Sequence, residues 1–80
     1  MRVELGESEM IIREHTLVES CVVAVRDMPN GNKVLVGYVK IKNNDMQANI
    51  ETELKMKLRK RLPIHMIPII IFGKFIYYFD

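Results

Sequence analysis

The sequence predicts a small α+β domain: a three-stranded sheet, made of a hairpin plus a third strand, packed with two helices. Three features carry that expectation. Two β-branched apolar runs, CVVAV at 21–25 and VLVGYVKI at 34–41, flank the turn-forming residues Pro29, Asn30 and Gly31, the pattern of a hairpin with a loop longer than two residues. Ile50, Leu54 and Leu58 recur at four-residue steps, a narrow buried stripe on a helix. Finally, Pro68 opens the short run IIIF, which reads as a strand after the second helix.

In chain order, residues 7–14 read as a short helix, with Glu7 and Glu9 near its start and Arg13 and His15 at its end, as the helix dipole favours. Its apolar side is thin. Leu5, Ile11 and Ile12 face inward, and Ser8 interrupts the stripe, so this helix needs a neighbour to hold it. The unbroken apolarity of 21–25 predicts burial on both faces, hence a central strand. Asn43, Asn44 and Asp45 form a polar break, after which Asn49 is the expected cap of a helix running to about Arg61. Pro63 ends it, because the residue before a proline is pushed out of helical space. The domain is expected over 1–72, with GKFIYYFD at 73–80 as a divergent or truncated tail.

Composition narrows the function classes. Twelve Lys and Arg against ten Asp and Glu leave a net charge of +2, too weak a bias to imply a polyanion partner by bulk charge. A hydrophobic fraction of 49% with 28% charged residues is globular rather than disordered. Cys21 is the single cysteine, so neither an intrachain disulfide nor a cysteine-rich metal site can form, which fits a reducing, cytoplasmic setting. MRVELGE is not a signal peptide. The apolar stretch from Ile64 to Phe79 contains His65, Pro68 and Lys74 and falls short of the ~20 residues a spanning helix needs.

Taken singly, the reactive side chains do not form an active site. His15 and His65 have no metal-ligand spacing. Cys21 lies in an apolar strand, where a thiol packs rather than attacks. The six methionines read as core filler. Lys55, Lys57, Arg59, Lys60 and Arg61 form the sharpest charge feature. They read as the solvated side of an amphipathic helix, with cations gathered where the dipole favours them, or alternatively as a basic face for nucleic acid or acidic lipid.

Three segments, in order, resemble the C-terminal subdomain of the adenylate-forming superfamily, which includes peptide-synthetase adenylation domains and acyl-CoA ligases. Residues 2–9, RVELGESE, are similar to the family's R-[IV]-E-L-G-E-I-E. His15, Val18, Val22 to Val25, Asp27, Lys33 and Leu35 to Val39 are similar to the hairpin that follows. Residues 58–68, LRKRLPIHMIP, are similar to a segment containing L-P-x-Y-M-[IV]-P, and the wording is nearest the peptide-synthetase branch. The resemblance implies the mobile lid of an ATP-dependent ligase that activates an amino acid or other carboxylic acid and then transfers it to a thiol. Arg2, Glu4, Gly6 and Glu7 would belong to the segment presented to the thiol. ATP with magnesium and a pantetheine thiol are implied for the intact enzyme, and no cofactor is expected on these residues alone. The implied partners are an adenylation-core N-terminal domain or a carrier protein. No membrane partner is expected, and nucleic acid is the weaker alternative.

The chain departs from the family pattern at its end. The family's catalytic lysine sits in N-G-K-[VIL]-D-R, a dozen or more residues past the proline equivalent to Pro68. Here four residues separate Pro68 from Gly73, no Asn precedes Gly73, and no Asp-Arg follows Lys74. Lys74 is thus at most a partial stand-in, and no catalytic residue is assigned. Ser8 replaces an apolar position, and His65 a tyrosine. No ligase activity is expected of the isolated chain. A free-standing module that docks on an adenylation domain or a carrier protein is the alternative from another class.

Overall fold

The computed structural model describes residues 5–73. Helix α1 (Leu5–Arg13) leads into strand β1 (Val18–Asp27) and strand β2 (Lys33–Ile41). A 3-10 turn at Asn44–Met46 runs into helix α2 (Gln47–Arg61), and a second at Ile64–Met66 runs into strand β3 (Ile69–Phe72). The three strands form one sheet in the order β1-β2-β3. β1 and β2 pair antiparallel, whereas β2 and β3 pair parallel. Parallel neighbours need a long crossover, and α2 provides it. The α+β expectation of a hairpin, a third strand and two helices therefore stands, as a mixed sheet.

The hairpin turns where its residues demand. Gly31 has φ +88, a backbone region open mainly to glycine. Asn30 Oδ1 accepts from the Asn32 amide at 3.0 Å, closing an Asx turn. Pro63 ends α2 as expected: Leu62 is extended at φ −128 and ψ 148 and donates its amide to the Leu58 carbonyl.

Both helices lie against one face of the sheet. Ile11 and Ile12 of α1 and Ile50, Leu54 and Leu58 of α2 are fully inaccessible. They pack with Val18, Cys21, Val23, Val39 and Ile41 of the hairpin, and Leu62 and Met66 complete the cluster. Each such aliphatic side chain contributes roughly 1.5–3 kcal/mol by leaving water. Of the methionines expected as core filler, Met66 is buried, but Met10, Met28 and Met56 are exposed.

Three local expectations are corrected. The central strand is β2, in which Leu35, Val36, Gly37, Tyr38 and Val39 are all buried; β1 lies at the edge. The order follows from β3 adding on the far side of β2, so the CVVAV run is apolar without being sandwiched. Asn49 does not cap α2. Asn43 caps the preceding 3-10 turn, accepting the Asp45 amide at 3.0 Å. Its hydrogen bonds then feed the chain into the helix at Gln47, a common use of a 3-10 turn.

Ser8 does not interrupt the buried face of α1; it belongs to it. It is fully inaccessible, and its hydroxyl donates to the Met66 carbonyl at 3.1 Å. The end of α1 is tied to α2 by charge. Glu14 Oε1 receives Lys57 Nζ at 2.8 Å and Arg61 Nη1 at 2.7 Å. Next to it, His15 Nδ1 accepts the Leu17 amide at 3.1 Å, which places its ring proton on Nε2, 2.6 Å from Glu53.

Two outcomes follow for stability. Ser8→Ala should lower unfolding stability by about 1 kcal/mol in urea titration, because a buried hydrogen bond is lost at Met66. For Glu14, hydrogen bonds from Arg61 and Lys57 hold its pKa at about 2, down from 4.5. A lowered folded-state pKa contributes stability above the unfolded value that is lost as pH falls. The stability advantage of the parent over Glu14→Gln should thus be full at neutral pH and shrink between 4.5 and about 2. Thermal melts of both proteins across that range check it.

Candidate functional site

Of the residues singled out by the resemblance, Leu5, Gly6 and Glu7 form the first turn of α1. Arg2, Glu4 and Lys74 lie outside the described residues. Leu5 is half-buried against the core, whereas Gly6 and Glu7 are exposed. Glu7 suits this place, since an acid in a first turn meets the positive end of the helix dipole. Gly6 does not need glycine's backbone freedom. Its φ is not positive, and nothing lies within 4 Å of where a Cβ would stand. Neither the fold nor its own packing explains why this position lacks a side chain, and the open space lies on the surface.

Behind that open turn the helix is held firmly. Ser8 ties it to the Met66 carbonyl at 3.1 Å. Glu9 accepts the Val23 amide at 3.0 Å, and Arg13 donates to the Cys21 carbonyl at 2.7 Å. The Ser8–Met66 bond joins two of the three motif segments across 58 residues of sequence. Pro68, from the same third segment, is buried and lies beside Gly37, as do Ile12 and Ile70. The motif residues Leu62, Met66 and Pro68 thus shape the seat of α1, which in turn carries Gly6 and Glu7.

The remaining candidates have structural surroundings. Burial pushes the Cys21 thiol up to about 12, and the Glu9 carboxylate adds to the effect. A thiol in that state is a packing group, not a nucleophile. His15 joins the helices, and His65 is exposed on the turn Ile64–Met66. Among the described residues no three His, Cys, Asp or Glu side chains come together as a metal site. In the basic run, Lys55 pairs with Glu51 at 3.0 Å, and Lys57 and Arg61 share Glu14. Only Arg59 and Lys60 of that run make no ion pair among the described residues.

An open groove of about 450 Å³ is lined by Val25, Lys33 and Leu35 of the hairpin and by His65, Ile67 and Ile69. Its Lys33 is engaged by Asp27 at 2.6 Å. Among the described residues no helix is long and apolar enough to cross a membrane.

The sequence locates Gly6 and Glu7 through the motif but does not reveal the polar residues that seat them. Ser8 reads there as a flaw in the stripe. Glu9 and Arg13 give only a dipole signal, although their i, i+4 spacing, with an ion pair at 3.0 Å, marks them as neighbours on one helix face.

Known proteins share this fold. A family model described as AMP-binding enzyme C-terminal domain matches residues 7–73. Nonribosomal peptide synthetase agiA of Aspergillus flavus is 36% identical over 75 residues, which cover 89% of this chain and 1% of that protein. Tyrocidine synthase 3 of Brevibacillus parabrevis is 37% identical over 67 residues, covering 84% of this chain and 1% of its own length. This chain therefore spans about 1% of the length of these relatives. Among solved structures, the anthranilate CoA ligase AuaEII in complex with anthranoyl-AMP matches with a TM-score of 0.77 at 15% identity, over 89% of this chain and 14% of that one. An artificially fused adenylation–PCP di-domain from Klebsiella oxytoca matches at 0.66 with 23% identity, over 92% of this chain and 13% of that one. At such identities the structures speak for the fold, and the family rests on the model match. That match spans nearly all the described residues and includes both the seat of α1 and the exposed turn at Glu7, so the chain belongs to the AMP-binding enzyme C-terminal domain family, the small domain of the adenylate-forming ligases.

Proposed function

We propose that this domain serves as the mobile lid of a peptide-synthetase-like adenylate-forming ligase. On this reading a large domain binds ATP and the carboxylic acid, and the lid closes to complete the adenylating site. It then turns a different face inward for transfer to a pantetheine thiol. One small domain completes two sites in turn, a division of labour suited to a rigid body on a hinge. The partner is an adenylation core or a carrier protein.

The observation that supports this most is the contrast along α1. Its first turn is open at Gly6 and Glu7, while its later turns are tied to β1, to α2 and to the turn before β3. A segment presented to a reacting thiol has to be exposed and yet fixed in place. The bare surface at Gly6 leaves room for another molecule to approach the backbone closely.

The first half-reaction draws on a lysine whose cation meets the charge developing between carboxylate and α-phosphate. Lys74 lacks the Asn and Asp-Arg neighbours of the family motif. We therefore read these eighty residues as carrying the thiol-facing segment without a complete adenylating lysine motif, and as inactive alone. Purified by itself, the chain should give no ATP–pyrophosphate exchange; measurable exchange would overturn this part of the reading.

Gly6→Ala separates the lid role from folding. The substitution should leave stability unchanged or raise it by up to about 1 kcal/mol, since the position is helical and open. Docking on a separately produced adenylation core, measured by calorimetry, should weaken by roughly 10-fold. If the parent binds neither core nor carrier, the lid role fails. If Gly6→Ala binds as tightly as the parent, the contact is not at this turn.

A further inference from the structure

β1 poses a problem that the lid role does not address. Its segment 21–25, CVVAV, is valine-rich, uncharged and free of proline. Such a run on an open edge is a template for pairing with another chain. Yet β1 is an edge strand, with β2 on one side only among the described residues.

The direction of its backbone groups follows from the pairing. Cys21 stands opposite Val39 and Val23 opposite Gly37. The Val39 carbonyl accepts the Gly73 amide at 3.1 Å, on the β3 side. Residues opposite each other in an antiparallel pair either exchange both hydrogen bonds or neither. Cys21 and Val23 therefore direct their amides and carbonyls outward, away from β2.

Two of those four outward groups, the Val23 amide and the Cys21 carbonyl, are met by side chains of α1. Glu9 Oε2 accepts the Val23 amide at 3.0 Å, and Arg13 Nη2 donates to the Cys21 carbonyl at 2.7 Å. The two side chains also pair with each other at 3.0 Å. An acceptor and a donor are thus set two residues apart along the edge, where a neighbouring strand would offer its own carbonyl and amide. Further along the strand, Arg26 Nη1 donates to the Val25 carbonyl at 3.2 Å.

We propose that Glu9 and Arg13 act as a side-chain substitute for a fourth strand, closing the free edge of β1 against strand addition by a second copy of this chain. The occupant they exclude is another β1, because an uncharged valine-rich edge is complementary to itself in the antiparallel sense. This role does not require that the domain dock on a ligase core, although the same two side chains also hold α1 in place.

The test uses the full chain under reducing conditions, so that Cys21 cannot cross-link copies. Sedimentation velocity from micromolar to millimolar concentration reads association, and amide exchange by NMR reads the Val23 bond. In Glu9→Ala/Arg13→Ala the Val23 amide should exchange at least ~5-fold faster than in the parent, and the protein should gain concentration-dependent association. A double variant that is folded and sediments like the parent, or that keeps Val23 as protected, overturns the proposal. Should that variant not fold, Glu9→Leu and Glu9→Gln decide the matter. Leucine keeps the helix but accepts nothing, while glutamine retains an acceptor. Faster Val23 exchange and added association in Glu9→Leu alone support edge closure, and equal behaviour of the two overturns it.

Discussion

A helix of nine residues cannot hold its backbone order in water by itself, and α1 has only Ile11 and Ile12 as fully buried aliphatic side chains. Its place in the molecule is therefore decided by polar fastenings: Ser8 to the Met66 carbonyl, Glu9 and Arg13 to the backbone of β1, and Glu14 and His15 to α2. The direction of α1 fixes where Gly6 and Glu7 are presented, and it also decides which side chains reach the edge of β1. Both the exposed turn at Gly6 and Glu7 and the covered edge of β1 descend from this constraint.

The fastenings differ in physical character. The Ser8 bond is fully buried, so losing its partner exposes the other group to a dry environment. The Glu14 contacts are exposed and depend on pH and salt, and they act at the end of α1 away from the presented turn. Glu9 and Arg13 lie between, using charge to satisfy backbone groups rather than each other alone. Of the basic face of α2, Lys57 and Arg61 are spent on Glu14 and join the two helices.

Much of the fold is legible in the residues because its signals are local. Pro29, Asn30 and Gly31 mark the hairpin, the four-residue repeat of Ile50, Leu54 and Leu58 marks α2, and Pro63 and Pro68 bound the turn between α2 and β3. The candidate segment is legible through a different kind of signal, the wording of two motifs. What the sequence hides has one cause. Ser8 reads as a break in a stripe because its acceptor is 58 residues away. Asn49 reads as a cap because a 3-10 turn before the helix leaves no hydrophobic period to detect.

The misplacement of the central strand shows the boundary most clearly. Composition reports how apolar a strand is, and CVVAV is as apolar as any central strand. It does not report what the strand's backbone meets. By itself, the sequence determined the elements, their order, the hairpin and the family motifs, since propensity, turn chemistry and periodicity act over a few neighbours. Only the tertiary structure decided that β3 adds beside β2, that β1 is left at the edge with Glu9 and Arg13 along it, and that Ser8 reaches Met66. Those outcomes depend on which distant backbone groups come within about 3 Å, the reach of a hydrogen bond.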